Sequence, residues 1–249
     1  MMNDSDKTLI FLHIPKAGGS TLTRIIAQNY PGESRFLIVP DSEFSPENFR
    51  KFPDEQKRKY RAVTGHCVFG IHKYIPQPTT YITMLRDPVA RVISNFHHVR
   101  RTPEHPLHQK VNSAKMTLED YVTSGINPQL DNGQVRQLSG VEISSEFGNC
   151  TSEMLTEAQE NLVQFFSVTA LMEKFDESLI LLQQSFGWKN ISYQKLNVSP
   201  TSPPEAMSPE SLKKIKECNL FDIELYRFAA QRFEALWHQH QTEINPAQK

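Results

Sequence analysis

The chain has 249 residues, 38% of them hydrophobic, enough to bury a sizeable core. Its 27 Lys and Arg against 28 Asp and Glu leave a formal net charge of −1, which excludes the broad positive excess that nucleic-acid binding calls for. Three cysteines, Cys67, Cys150 and Cys218, cannot form a fully paired framework, match no zinc spacing and fit a reducing compartment.

In chain order, Met1 to Lys7 leads directly into an apolar run, with no h-region and no stretch of about twenty apolar residues, so no membrane insertion is expected. Thr8 to His13 reads as a strand buried on both faces, and a helix follows from Ser20 to Gln28, stopped by Tyr30-Pro31-Gly32. Arg35 to Val39 suggests a second strand. Ser45-Pro46-Glu47 starts a helix in the polar stretch to Lys59, and Ala62 to Gly65 forms a short strand. Thr79 to Leu85 is a stronger strand, followed by a helix from Pro88 to about Arg100. Pro103 to Ala114 reads as a loop, Thr117 as a helix cap, Met154 to Phe165 as helix, and Ser167 to Leu171 as the last strand. Phe175 to Phe186 packs back as a helix. The stretch from Asn197 to Pro209, with four of the 16 prolines, reads as a long loop or lid, and Leu212 to His240 closes the chain as helix. Strands alternating with helices predict an α/β fold on a parallel sheet. No linker divides the chain, so a single domain over 1–249 is expected, with its core at about 8–230.

Two strand-to-helix junctions carry anion chemistry. In Ile14-Pro15-Lys16-Ala17-Gly18-Gly19-Ser20-Thr21, the glycines let backbone N–H groups approach an anion. Ser20 and Thr21 add hydroxyls at a helix N-terminus, and Lys16 adds a charge. In Arg86-Asp87-Pro88-Val89-Ala90-Arg91-Val92-Ile93-Ser94, Pro88 suits the first helical position, so Ser94 lies near two turns up and can bracket one phosphate with Arg86. A Walker loop would place its lysine after the glycines, whereas Lys16 precedes them, and Asp87 stands between an arginine and a proline. That arrangement suits a metal-free anion site. The basic clusters Lys57-Arg58-Lys59 and Arg100-Arg101 read as solvated faces. His97, His98, His105 and His108 lack a metal-ligand spacing, and no metal is expected there.

The pair of junctions resembles the 5'-phosphosulfate loop and 3'-phosphate motif of the PAPS-dependent sulfotransferases. The resemblance is above all to the carbohydrate branch with the heparan sulfate 2-O- and 6-O-sulfotransferases and their short bacterial relatives. Thr64-Gly65-His66, Phe69-Gly70-Ile71-His72, Asp131 to Leu138, Leu171 to Ser178 and Asn219 to Tyr226 extend it, from about Leu9 to Ala230. It implies a P-loop-like three-layer fold, with a central parallel sheet flanked by helices and a helical C-terminal part. It also implies PAPS as co-substrate without a metal, and a hydroxyl-bearing, carbohydrate-type acceptor. Lys16, Ala17, Gly18, Gly19, Ser20, Thr21, Arg86 and Ser94 then hold the cofactor, and Lys16 also steadies the leaving group. His66 is the favoured general base and His72 its competitor, with a structural, hydrogen-bonded histidine the alternative for each. Gln134 and Arg136 match a family Gln-x-Arg pair near the cofactor or acceptor; Arg136 equally suits a helix-start salt bridge. Animal members carry a Golgi anchor, and without one a soluble, cytoplasmic protein is expected, in which the sequons at Asn149, Asn190 and Asn197 have no glycosylation role. The family's lid often carries basic residues where this chain has Ser199-Pro200-Thr201. A small-molecule kinase and a non-catalytic nucleotide-binding protein remain open as alternatives.

Overall fold

The computed structural model describes residues 4–141, 146–193 and 208–244. Five strands, β1 (Thr8–Leu12), β2 (Arg35–Ile38), β3 (Ala62–Gly65), β4 (Thr79–Leu85) and β5 (Phe166–Leu171), form one sheet in the order β2-β3-β1-β4-β5. Every pairing is parallel, so all carboxyl ends lie along one edge. β1 is the central strand and all five of its residues are buried, which explains its unbroken apolar run. In register, Leu12 lies beside Gly65 on one side and Thr83 on the other. Chain connections run outward in opposite directions on either side of the β1–β4 pair, and ligands of open α/β sheets bind at such a switch point.

The helices are α1 (Gly19–Asn29), α2 (Pro46–Lys51), α3 (Asp54–Lys57), α4 (Pro88–Arg101), α5 (His108–Ser113), α6 (Leu118–Thr123), α7 (Gly133–Ser139), α8 (Ser152–Gln164), α9 (Phe175–Phe186), α10 (Pro209–Cys218) and α11 (Leu220–Ile244). The main core packs around the sheet. A second apolar cluster of Val92, Phe96, Val99, Val111, Tyr121, Val122, Leu130 and Ile215 joins α4, α5, α6 and α10. Among the described residues no helix is long and apolar enough to cross a membrane.

Three local readings change. The stretch read as a loop from Pro103 to Ala114 contains α5, because Val111 is buried and His108 Nδ1 meets the Val99 carbonyl oxygen at 2.9 Å. The final helix is broken at Asn219, whose amide donates to the carbonyls of Leu130 at 2.8 Å and Ile215 at 2.9 Å. Lys57, read as part of a solvated face, is buried and donates to the Arg50 carbonyl at 3.0 Å. The stretch read as a lid lies mostly outside the described residues.

A buried carboxylate ties the last helix to the middle of the chain. Asp222, on α11, accepts from the backbone N–H of Val135 at 2.8 Å and of Gln134 at 3.2 Å. These are first-turn N–H groups of α7, whose preceding residue Asn132 supplies no side-chain cap, so Asp222 acts as a cap from a distant helix. Arg91 approaches the same carboxylate at 3.3 Å and donates to the Gln129 carbonyl at 2.7 Å. Burial pushes the Asp222 carboxyl up, while Arg91 and the two N–H groups pull it back. Replacing Asp222 with Ala would leave a buried guanidinium and two N–H donors without their acceptor. The expected loss is about 3–5 kcal/mol, read from the denaturant midpoint at unchanged m-value; a change under 1 kcal/mol would rule out this anchoring role.

Candidate active site

The carboxyl edge of the sheet opens into a cleft of about 1290 Å³. That exceeds the roughly 300–1,000 Å³ usual for a single small ligand and leaves room for two reactants. The segment leaving β1 supplies Lys16, Gly18, Gly19, Ser20 and Thr21 to its lining. Gly18 has φ 79, and a Cβ there would lie 2.5 Å from Met172 Sδ, so glycine is required. No side chain caps α1, which leaves its first-turn N–H groups for a ligand. Lys16 itself has φ 68, a left-handed conformation that costs a side-chain-bearing residue roughly 1–2 kcal/mol. Burial, then Arg101 and Arg86, push its ammonium down to about 8.

Arg86 leaves the end of β4 and links the two junctions directly, its Nη1 donating to the Lys16 carbonyl at 3.0 Å. Ser94 lines the cleft with Asn95, His98 and Arg101, all on one face of α4, and with Thr102 just after it. Asp87 is committed elsewhere: its carboxylate caps α4 by accepting from Ala90 N–H at 2.9 Å. Asn95 accepts from Tyr121 Oη at 2.7 Å and from Asn127 Nδ2 at 3.1 Å, fixing that wall.

The end of β3 places His66 on the cleft. Its ring stacks on His13 with centroids 4.2 Å apart, and its Nδ1 lies 3.2 Å from the His13 carbonyl oxygen. A carbonyl can only accept, so Nδ1 carries the hydrogen and Nε2 is left as the basic nitrogen. Burial lowers the His66 pKa, opposed by that hydrogen bond. His13 is pushed down to about 3 by burial, then by His66 and Lys16, and stays neutral. Gln137, from α7, donates to the carbonyls of His13 at 2.9 Å and Cys67 at 2.8 Å, pinning the ends of β1 and β3 together.

Four predicted site residues do not reach the lining. Ala17 is buried beneath the loop. His72 packs against Phe69 and Phe165 with its Nδ1 3.0 Å from Tyr81 Oη, away from the cleft lining. Gln134 is fully buried: its amide donates to the Arg86 carbonyl at 3.0 Å and accepts from Arg86 N–H at 3.1 Å, so it positions Arg86 from behind. Arg136, also fully buried, pairs with Asp131 and donates to its carbonyl at 2.8 Å, so the salt-bridge alternative is the one realised. Conversely, His13, Gln137 and Arg50 line the cleft without having been read as site residues, and Arg101, read as part of a solvated face, lines it too. A histidine ending an apolar strand, and a glutamine one helical turn after Gln134, were the available signals. His98 and His105 also line it, yet among the described residues no three His, Cys, Asp or Glu side chains converge as metal ligands.

The family model for galactose-3-O-sulfotransferase matches residues 3–247. The chain belongs to that family. Among relatives of the family, human heparan-sulfate 6-O-sulfotransferase 1 is 25% identical over 276 residues, covering 92% of this chain and 66% of its own length. Human galactosylceramide sulfotransferase is 30% identical over 244 residues, covering 89% of this chain and 55% of its own. The chain therefore spans about two thirds and about half of these relatives. A sulfotransferase from Alicyclobacillus acidocaldarius aligns with TM-score 0.48 at 16% identity, over 93% of this chain and 96% of its own. Mouse sulfotransferase SULT7A1 complexed with PAP aligns with TM-score 0.43 at 15% identity, over 90% and 67%.

Gly19 is the tightest constraint on the histidine pair, since a Cβ there would lie 2.0 Å from His13 Cδ2 and Nε2. In Gly19→Ala the His13 ring must move and the stack on His66 is lost. The expected results are a destabilisation of about 1–3 kcal/mol in chemical denaturation and shifted His66 ring resonances by NMR. Unchanged His66 resonances would mean that the ring does not depend on His13.

Proposed function

We propose that this chain transfers a sulfuryl group from PAPS to a hydroxyl of a carbohydrate acceptor, with His66 as general base and Lys16 at the leaving oxygen. The carrying observation is the order along the sheet edge. Arg86 leaves β4, the glycine loop leaves the adjacent β1, and His66 leaves β3 on the other side of β1. Neighbouring strands are about 4.8 Å apart, so a ligand crossing them meets a guanidinium, then a helix N-terminus with a lysine, then a base. That sequence suits a nucleotide bearing a phosphate at one end and a transferable group at the other. Membership of the galactose-3-O-sulfotransferase family supports the reading. The names of the two relatives, one a heparan-sulfate enzyme and one a galactosylceramide enzyme, support a sugar hydroxyl as acceptor.

In this reading PAPS supplies a sulfuryl group on a phosphate leaving group, and the chain supplies position and charge. Arg86 and Ser94 hold the 3'-phosphate. The open turn of α1, with Ser20 and Thr21, holds the 5' end. Lys16 offsets negative charge at the departing oxygen, and His66 Nε2 accepts the acceptor's hydroxyl proton.

PAP should bind without added metal, and Lys16→Ala and Arg86→Ala should each weaken it about 10- to 100-fold by calorimetry, the range of a lost charge-assisted contact. Because free Lys16 titrates at about 8, affinity for PAP should fall as pH rises through that value, and Lys16→Ala should lose the fall. Absent PAP binding, or tighter binding of ATP, would overturn the nucleotide assignment.

His66→Ala should keep PAP affinity while transfer falls about 10²–10⁴-fold, the usual contribution of a general base. Since the His66 pKa lies below its ordinary value, the neutral base persists at mildly acidic pH. The acid limb of kcat/KM should therefore fall below pH 6.5. Full transfer by His66→Ala, or loss of transfer only in His72→Ala, would refute the assignment.

A further inference from the structure

Lys16 and Arg86 answer the charge of the nucleotide; a further cation lines the cleft near the β3 end. Arg50, on α2 in the crossover after β2, lines the cleft together with Pro40, Pro46 and Glu47, beyond His66 in strand order. It is near enough to the β3 end that its charge acts on the thiol of Cys67, the residue after His66. Its backbone is held by Lys57 Nζ, which donates to the Arg50 carbonyl at 3.0 Å. Its guanidinium lies over the Tyr74 ring, 5.1 Å from the centroid, a cation–π contact that favours this position. Among the described residues no carboxylate lies within ion-pair distance of it, and its buried Nε has no hydrogen-bond partner. Glu47, one turn earlier on the same helix, is the only acidic side chain among the described lining residues.

A fixed, partly buried guanidinium without a counter-ion is costly unless a ligand completes it. The nucleotide reaches Arg86 after β4 and the glycine loop after β1, on the other side of β1 from the β3 end near which Arg50 lies, so the missing partner belongs to the other reactant. We propose that Arg50 is an anion subsite of the acceptor, and that the acceptor is a sugar carrying a negatively charged substituent, with Glu47 accepting from its hydroxyls. The planar fork suits a carboxylate and also accepts a sulfate. This rests on the nucleotide reading above, because it is that reading which assigns the far end of the cleft to the acceptor.

The test is calorimetry on the full chain saturated with PAP, using methyl β-D-galactopyranoside, the matching methyl galacturonide and the 6-sulfate as probes. The expected result is that at least one charged sugar binds tenfold or more tighter than the neutral one, the carboxylate and sulfate arms showing which anion is preferred. Arg50→Gln should remove that preference, Arg50→Lys should keep part of it, and both should bind PAP as the parent does, which also reports that they are folded. Equal binding of the three sugars, including binding of none, overturns the subsite. So does a loss of PAP affinity in Arg50→Gln, which would return Arg50 to the nucleotide. If PAP fails to bind the parent chain, the nucleotide reading itself has failed, an outcome distinct from a PAP complex that ignores sugar charge.

Discussion

The geometry of the cleft depends on one buried carboxylate. Asp222 neutralises Arg91 and caps α7, and α7 then holds both sides of the site. Gln134 grips the backbone of Arg86 on the β4 side, and Gln137 grips the carbonyls at the ends of β1 and β3. The two glutamines are one helical turn apart, so a single rigid turn fixes the spacing between Arg86 and the strand ends that carry His13 and His66. A buried ion pair adds little net stability relative to apolar packing. Its value here is directional: hydrogen bonds fix a helix end to within tenths of an ångström, which apolar contacts do not.

Strand order explains why so few polar residues suffice. In a parallel sheet every strand delivers its next residue to the same edge, so residues far apart in sequence arrive side by side. Arg86 and Lys16 become neighbours only because β4 pairs with β1, and His66 joins them because β3 pairs with β1 from the other side. Arg50, on α2 in the crossover from β2 to β3, joins the same cleft near the β3 end. In the proposed reading the cleft thus has a polarity across the sheet, nucleotide toward β4 and acceptor toward β3, that no single motif contains.

This also sets what was legible in the sequence. The α/β fold, all five strands and the two strand-to-helix junctions that line the cleft could be read, since each is a contiguous strand end and helix start with its own turn chemistry. His13 looked like the last residue of a buried strand, and its place beneath His66 depends on the β1–β3 pairing and on the missing Cβ of Gly19. Gln134 and Arg136 were read as contacts because polar residues near a cofactor motif invite that reading. Burial of α7 turns both inward, where Arg86 and Asp131 satisfy them. His72 carried a family-like Gly-x-His setting, yet Tyr81 Oη lies 3.0 Å from its ring, behind the sheet edge. Arg101 looked like part of a solvated pair, but its place seven residues after Ser94 on α4 brings it back to the cleft face.

In the proposed reading an anion completes the charge of the cleft. Lys16 is partly out of water and beside the charges of Arg101 and Arg86, all of which disfavour its protonated form. A nucleotide phosphate reverses the sign of that field, so Lys16 holds its proton more firmly once the nucleotide is in place. His13 feels the Lys16 charge as well, which together with burial keeps it neutral beneath His66. Burial, opposed by the hydrogen bond to the His13 carbonyl, lowers His66 itself. In the proposed reading the anionic nucleotide therefore acts on the protonation of Lys16, while the basicity of His66 is set by its packing against His13.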